Sequence, residues 1–136
     1  MKERKITVTA GELRKIYAKA TELIKEKKLF TAEVNLALAR NHTELEKQLK
    51  PVDATAYDLL EKYAAKKENG ELEVKNGRYL FETDEKQKKY MEQAEELEKT
   101  EIEITVFRVE SEKVVDGKHD EPTAFDLVAM DFMLEF

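Results

Sequence analysis

Chemistry in this chain would have to come from two histidines and a large excess of carboxylates. His42 and His119 lie far apart, and neither has the HExxH or HxxxH spacing that aims two imidazoles at one metal. The acidic loop Asp116–Glu121 lacks the ligand spacing and sixth-position glycine of an EF-hand. Carboxylate groups such as Glu95/Glu96/Glu98 and Glu101/Glu103 arise by number alone among 30 Asp and Glu, and a glycosidase-type dyad needs two acids facing across a cleft. Cysteine is absent, which excludes thiolate nucleophiles, thiolate zinc sites, iron–sulfur clusters and disulfides. The four glycines, Gly11, Gly70, Gly77 and Gly117, form no GxxxxGKS/T, GxGxxG or GxSxG pattern, so no phosphate cradle or nucleophile elbow is visible. The expectation is a protein with no enzymatic activity, no metal and no cofactor.

The elements that carry these residues follow from local signals. Lys5–Val8 alternates as a strand does, and Thr9 with Glu12 has capping-box spacing, which predicts a helix running to about Lys28 with Leu13, Ile16, Tyr17, Ala20, Leu23 and Ile24 on one stripe. Thr31 is the next N-cap. Val34, Leu38, Asn41, Leu45, Leu49, Val52, Ala56, Leu59 and Tyr63 then repeat in heptad-like phase across Pro51, interrupted by a polar layer at Asn41 or His42. A helix bent at Pro51, or two helices meeting there, fits the residue; the preserved phase favours one near-continuous arm. Joined by about two residues, the two segments make an antiparallel helical hairpin.

Asn69-Gly70 stops the arm, and Asn76-Gly77 between Leu72–Lys75 and Arg78–Phe81 signals a type I′ hairpin. Thr83 starts a helix reaching about Thr100, with Tyr90, Met91, Ala94 and Leu97 on its apolar side. Ile102, Ile104 and Val106 alternate as a strand, Glu110–Glu121 is a polar loop, and Pro122-Thr123 opens a short helix to about Met130 before an extended end. Tyr17, Tyr57, Tyr63 and Tyr90 lie on or beside helical stripes and are assigned to the core rather than to base stacking. The whole reads as one domain over 1–136, α+β and predominantly helical: the hairpin with its kinked long arm, a small β-hairpin or sheet, and a packed C-terminal segment.

Charge adds a direction. Residues 1–50 carry 12 Lys/Arg against 7 Asp/Glu, 51–100 carry 9 against 13, and 101–136 carry 3 against 10, for a net charge of −6. These are either complementary faces of one fold or an acidic surface that meets a basic partner; since phosphate neutralisation needs Lys and Arg clustered on one face and the whole-chain pI is about 5.2, direct nucleic-acid binding is disfavoured. For the acidic-surface reading the candidate contact residues are Glu71, Glu73, Glu82, Glu95, Glu96, Glu98, Glu101, Glu103, Glu110 and Glu112. The apolar run Phe125–Phe136 either docks on the helices or forms an interface between chains, and a heptad-like stripe closes within one chain or across a homodimer. No apolar run spans a membrane, and the start Met1–Lys5 is polar, so a cytoplasmic protein is expected.

Several stretches together resemble a family of small proteins of unknown function encoded by tailed phages and prophages of Gram-positive bacteria. They are Lys5 to Leu13; Val34 to Asn41 with Leu45, Leu49 and Lys50; Leu59-Leu60-Glu61-Lys62-Tyr63 running into Glu68-Asn69-Gly70; and the Pro-initiated apolar end from Pro122 to Leu134. The match covers most of the chain through helix surface and core patterns, and it brings no active-site residues. The resemblance implies a phage product in the host bacterial cytoplasm that binds a host or phage protein complex. Two roles are typical: inhibition of a host defence complex, such as a CRISPR-Cas nuclease, by occupying its nucleic-acid-binding surface, or an accessory part in virion assembly. The acidic half of the chain makes the inhibitor the leading expectation, and the apolar end supports virion assembly as the alternative.

Overall fold

In the computed structural model, which describes residues 1–136, the elements follow the chain as β1 (Lys2–Thr9), α1 (Ala10–Lys25), α2 (Ala32–Tyr63), β2 (Val74–Lys75), β3 (Arg78–Tyr79), α3 (Asp84–Glu98), β4 (Glu101–Glu110), α4 (Ala124–Met130) and β5 (Leu134–Glu135). Single 3-10 turns fill Ser111–Lys113 and Asp131–Met133. The mostly helical α+β class read from the sequence is what forms. The backbone packs as two compact units, Met1–Leu49 with Glu101–Phe136, and Lys50–Thr100.

In the first unit Thr9 ends β1 and starts α1. Its extended backbone lets the hydroxyl accept from the Glu12 N–H at 3.1 Å, while the Glu12 carboxylate accepts from the Thr9 N–H at 3.4 Å. α1 buries Ala10, Leu13, Ala20 and Leu23, whereas Ile24, expected on the same stripe, is exposed. The helix stops at Lys25, not near Lys28, because Lys27 turns left-handed at φ 53°. The connection to α2 is therefore Glu26–Thr31 rather than two residues. It swings Phe30 into the core at 1% exposure and leaves Leu29 out at 68%.

The first part of α2 buries Val34, Ala37, Leu38, Asn41, Leu45 and Leu49. Tyr17 of α1 stacks on His42 of α2 with ring centroids 4.9 Å apart, and the Thr21 hydroxyl lies 3.1 Å from His42 Nε2. β4 pairs antiparallel with β1 from Lys2↔Arg108 to Thr9↔Glu101, and β5 joins its other edge in parallel at Val109↔Leu134. Ile104, Val106 and Val109 complete the core with Phe30 and the helical leucines. Each such fully buried side chain contributes about 1.5–3 kcal/mol by leaving water. The Glu110–Glu121 stretch is tied down: Val114 is buried, Thr31 donates to the Lys113 carbonyl at 3.1 Å, and Leu29 and Asp120 exchange two hydrogen bonds of 2.8 Å.

The second unit begins within α2, which continues through Pro51 without interruption. The preserved apolar phase outweighs the hydrogen bond that proline cannot donate. Past Tyr63 the chain runs beside the hairpin, with Ala65 donating to the Leu80 carbonyl at 2.8 Å and Glu73 donating to the Ala65 carbonyl at 2.9 Å. Asn76 and Gly77, at φ 53° and 75°, make the type I′ turn between β2 and β3. Thr83 caps α3 by accepting from the Lys86 N–H at 3.2 Å. α3 is held by half-buried Tyr90, Ala94 and Leu97, by a 2.6 Å hydrogen bond from Gln93 to the Tyr63 hydroxyl, and by an edge-to-face contact of Phe81 with Tyr90. No α3 residue is fully buried, so this core is thin. Tyr57, assigned to the core from its spacing, is 53% exposed, and the Glu61 carboxylate one turn along the helix raises its hydroxyl above the ordinary range.

Candidate functional site

The ten candidate glutamates divide between the units. Glu71 and Glu73 precede β2, while Glu82, Glu95, Glu96 and Glu98 lie before and along α3, all in the second unit; Glu101, Glu103, Glu110 and Glu112 lie on or just beyond β4 in the first. Several serve the chain's own lysines. Glu82 pairs with Lys86 at 2.9 Å, Glu95 with Lys99 at 2.9 Å, Glu110 with Lys113 at 3.9 Å and Glu103 with Lys5 at 4.0 Å. Hydrogen bonds from Lys86 and Lys99 hold the Glu82 and Glu95 carboxyls below their ordinary range.

Part of the uneven charge along the sequence is complementarity inside the first unit. The basic front meets the acidic end through Arg4–Glu135 at 2.7 Å, Lys28–Asp126 at 2.7 Å and Lys5–Glu103. The first unit has 14 Lys/Arg against 17 Asp/Glu and the second 10 against 13, so each carries −3.

A different surface emerges around α4. Thr123 caps this helix: its hydroxyl accepts from the Asp126 N–H at 3.1 Å, and Asp126 Oδ2 accepts from the Thr123 N–H at 3.0 Å. The Asp126 side chain is fully buried, with the Lys28 ammonium on the same oxygen and Oδ1 without a hydrogen-bond partner. Burial pushes this carboxyl up, but the hydrogen bonds from Lys28 and Thr123 outweigh it and hold it below its ordinary range. The Lys28 ammonium is raised in turn by its hydrogen bond to Asp126.

That clamp ties the start of α4 to the connection between α1 and α2. Ala129, Met130, Met133 and Leu134 are buried. Phe125 at 71% exposure, Val128 at 63% and Leu127 at 43% face outward, with Val115 and Phe136 also exposed. Between α1 and α4 lies a largely apolar groove of about 160 Å³ lined by Ala18, Leu23, Phe125, Val128 and Ala129, with Lys19, Glu22 and Glu26 also along it. A shallower one beside it brings Val115, Leu127 and Phe136 together with Lys19 and Asp131. Sequence spacing marked Phe125–Phe136 as apolar; Lys19 and Asp131 gave no signal, being ordinary charges on their own segments.

The histidines have structural partners. His42 stacks on Tyr17, and His119 Nδ1 lies 2.6 Å from Asp116 Oδ2. The backbone N–H groups of Lys118 and His119, followed by that imidazole contact, hold Asp116 at about 2. No three His, Asp or Glu side chains are placed to hold a metal ion, and no helix is long and apolar enough to cross a membrane. No protein-family model, curated protein or solved structure matches the chain.

Proposed function

We propose that this chain is a non-catalytic protein-binding protein whose binding surface is the outward side of α4, acting as an accessory in phage virion assembly. The observation that carries this reading is the exposure of Phe125 and Val128 beside an apolar groove while the same helix is anchored from within by Asp126. Contiguous apolar surface held on a fixed helix supports an interface. The phage setting and host cytoplasm rest on the sequence resemblance alone. The test is affinity capture from phage-infected Gram-positive cells with wild-type and Val128→Asp baits. Head or tail proteins that survive a high-salt wash and disappear with Val128→Asp are expected; their absence, or equal recovery by both baits, overturns the reading.

A second reading, an acidic inhibitor of a host defence nuclease, is favoured by the end of α3. There Glu95, Glu96 and Glu98 crowd within four residues of Lys99, which is taken by Glu95, and Glu96 is exposed without an ion pair. Capture of a nucleic-acid-binding complex that weakens steeply with salt, and is lost in Glu95→Lys/Glu96→Lys, is the expected result. An affinity unchanged across a roughly tenfold rise in salt sinks it.

A further inference from the structure

We infer that the outward side of α4 is the interface of a two-fold homodimer. The inference rests on the reading of this surface as a binding face and names its first partner, a second copy of the chain.

Area comes first. With roughly 200 Å² per aromatic ring, Phe125 and Phe136, exposed by 71% and 93%, leave about 330 Å² of apolar surface in water. Leu127, Val128 and Val115 bring the patch to the order of 500 Å², at the upper end of what a monomer usually leaves contiguous. Doubled across a two-fold axis, that reaches the roughly 1,000 Å² of a specific interface before any rim contact is included. The groove between α1 and α4 supplies the matching concavity, so each copy offers both a protruding Phe125 and a slot to receive an apolar side chain. An isologous interface requires this self-complementarity.

Charge decides the kind of partner. Lys19 and Asp131 line the same open groove, both exposed, and neither has an ion pair within the chain. Glu22 and Glu26 of the adjoining groove are already paired, with Lys25 at 3.9 Å and Lys28 at 3.4 Å, so Lys19 and Asp131 are the charges left open: an acidic partner would leave Asp131 facing like charge, and a basic partner would do the same to Lys19. A second copy related by a two-fold places Lys19 of each chain opposite Asp131 of the other and neutralises both in one operation.

The test is sedimentation of the purified full chain from roughly 1 to 300 μM, a range that brackets a micromolar dimer. A species of twice 15.8 kDa is expected for wild type. Lys19→Asp and Asp131→Lys, at exposed positions with the fold checked by circular dichroism, should each weaken the dimer by about ten- to a hundredfold, since the two-fold doubles every like-charge contact. Mixing the two variants should restore a heterodimer. The carboxylate introduced by Lys19→Asp then faces the ammonium introduced by Asp131→Lys, and across the axis the unchanged Lys19 of one chain still meets the unchanged Asp131 of the other. Wild type that stays at 15.8 kDa throughout overturns the proposal, as does a dimer indifferent to Val128→Asp and to both charge variants. A monomer that still captures virion proteins through Val128 leaves the binding reading standing while this inference falls; a dimer that captures none does the reverse.

Discussion

Asn41, wholly buried on α2, does for β4 what another strand would do. Its side-chain amide donates to the Phe107 carbonyl at 2.7 Å, and its side-chain carbonyl accepts from the Phe107 N–H at 2.7 Å. The polar break in an otherwise apolar stripe is thereby explained, since on the edge of β4 away from β1 the strand β5 covers only Val109–Glu110 and leaves Phe107 without a strand partner there. Arg40 beside it rests over the Phe107 ring at 4.1 Å.

Asn41→Leu fits the stripe but strips both partners from Phe107. The expected loss is about 2–4 kcal/mol, because two backbone groups lose their hydrogen bonds at once. Urea unfolding measures it; a loss below about 0.5 kcal/mol would mean that water satisfies that edge.

Asp126 joins the cap of α4 to Lys28. Asp126→Ala removes the cap acceptor and strands the Lys28 ammonium, with an expected cost of about 2–3 kcal/mol. Since the folded carboxyl titrates below its ordinary value of about 3.9, its stabilisation is complete above that value and disappears as pH falls through the lower folded one. The stability of wild type should therefore drop more steeply than that of Asp126→Asn between about pH 5 and pH 2. Parallel curves would show that the carboxylate charge is not what Lys28 and Thr123 recognise.

Asp116 should titrate at about 2 when its carboxyl is followed by NMR. The backbone N–H groups of Lys118 and His119 do most of this, so His119→Ala should return only a minor part of the shift. A return to the ordinary value in that variant would transfer the cause to the imidazole.

Gly77 sits at φ 75° with open space where a Cβ would go. Gly77→Ala therefore costs only the left-handed backbone penalty, about 1 kcal/mol, with no clash to relieve. A much larger loss, read by thermal unfolding, would show that the hairpin governs the whole thin core of its unit.

Pro51 sits inside α2 without an N–H to give the Lys47 carbonyl. Pro51→Ala should raise stability, by up to about 3 kcal/mol, by restoring that bond and a good helix former. Destabilisation would reveal that the ring packs at this position in a way alanine cannot replace.

Whatever depends on a few neighbouring residues was legible in the spacing of the chain. Thr9, Thr83 and Thr123 cap helices because a hydroxyl reaches an N–H three residues on; Asn76-Gly77 turns because both residues tolerate positive φ; and the stripe from Val34 to Val52 is buried because helical periodicity puts it on one side. What depends on residues far apart in the chain emerged only when the chain folded. Asn41 finds Phe107 across 66 positions, and Lys28 finds Asp126 across 98. The second of these contacts anchors the helix on which Met130 is buried and Val128 is open, a choice that the apolar run does not contain because both residues are apolar. In the same way ten glutamates that read as one acidic half divide between the two units, since the strand carrying Glu101 and Glu103 pairs with β1 in the first unit while α3 belongs to the second.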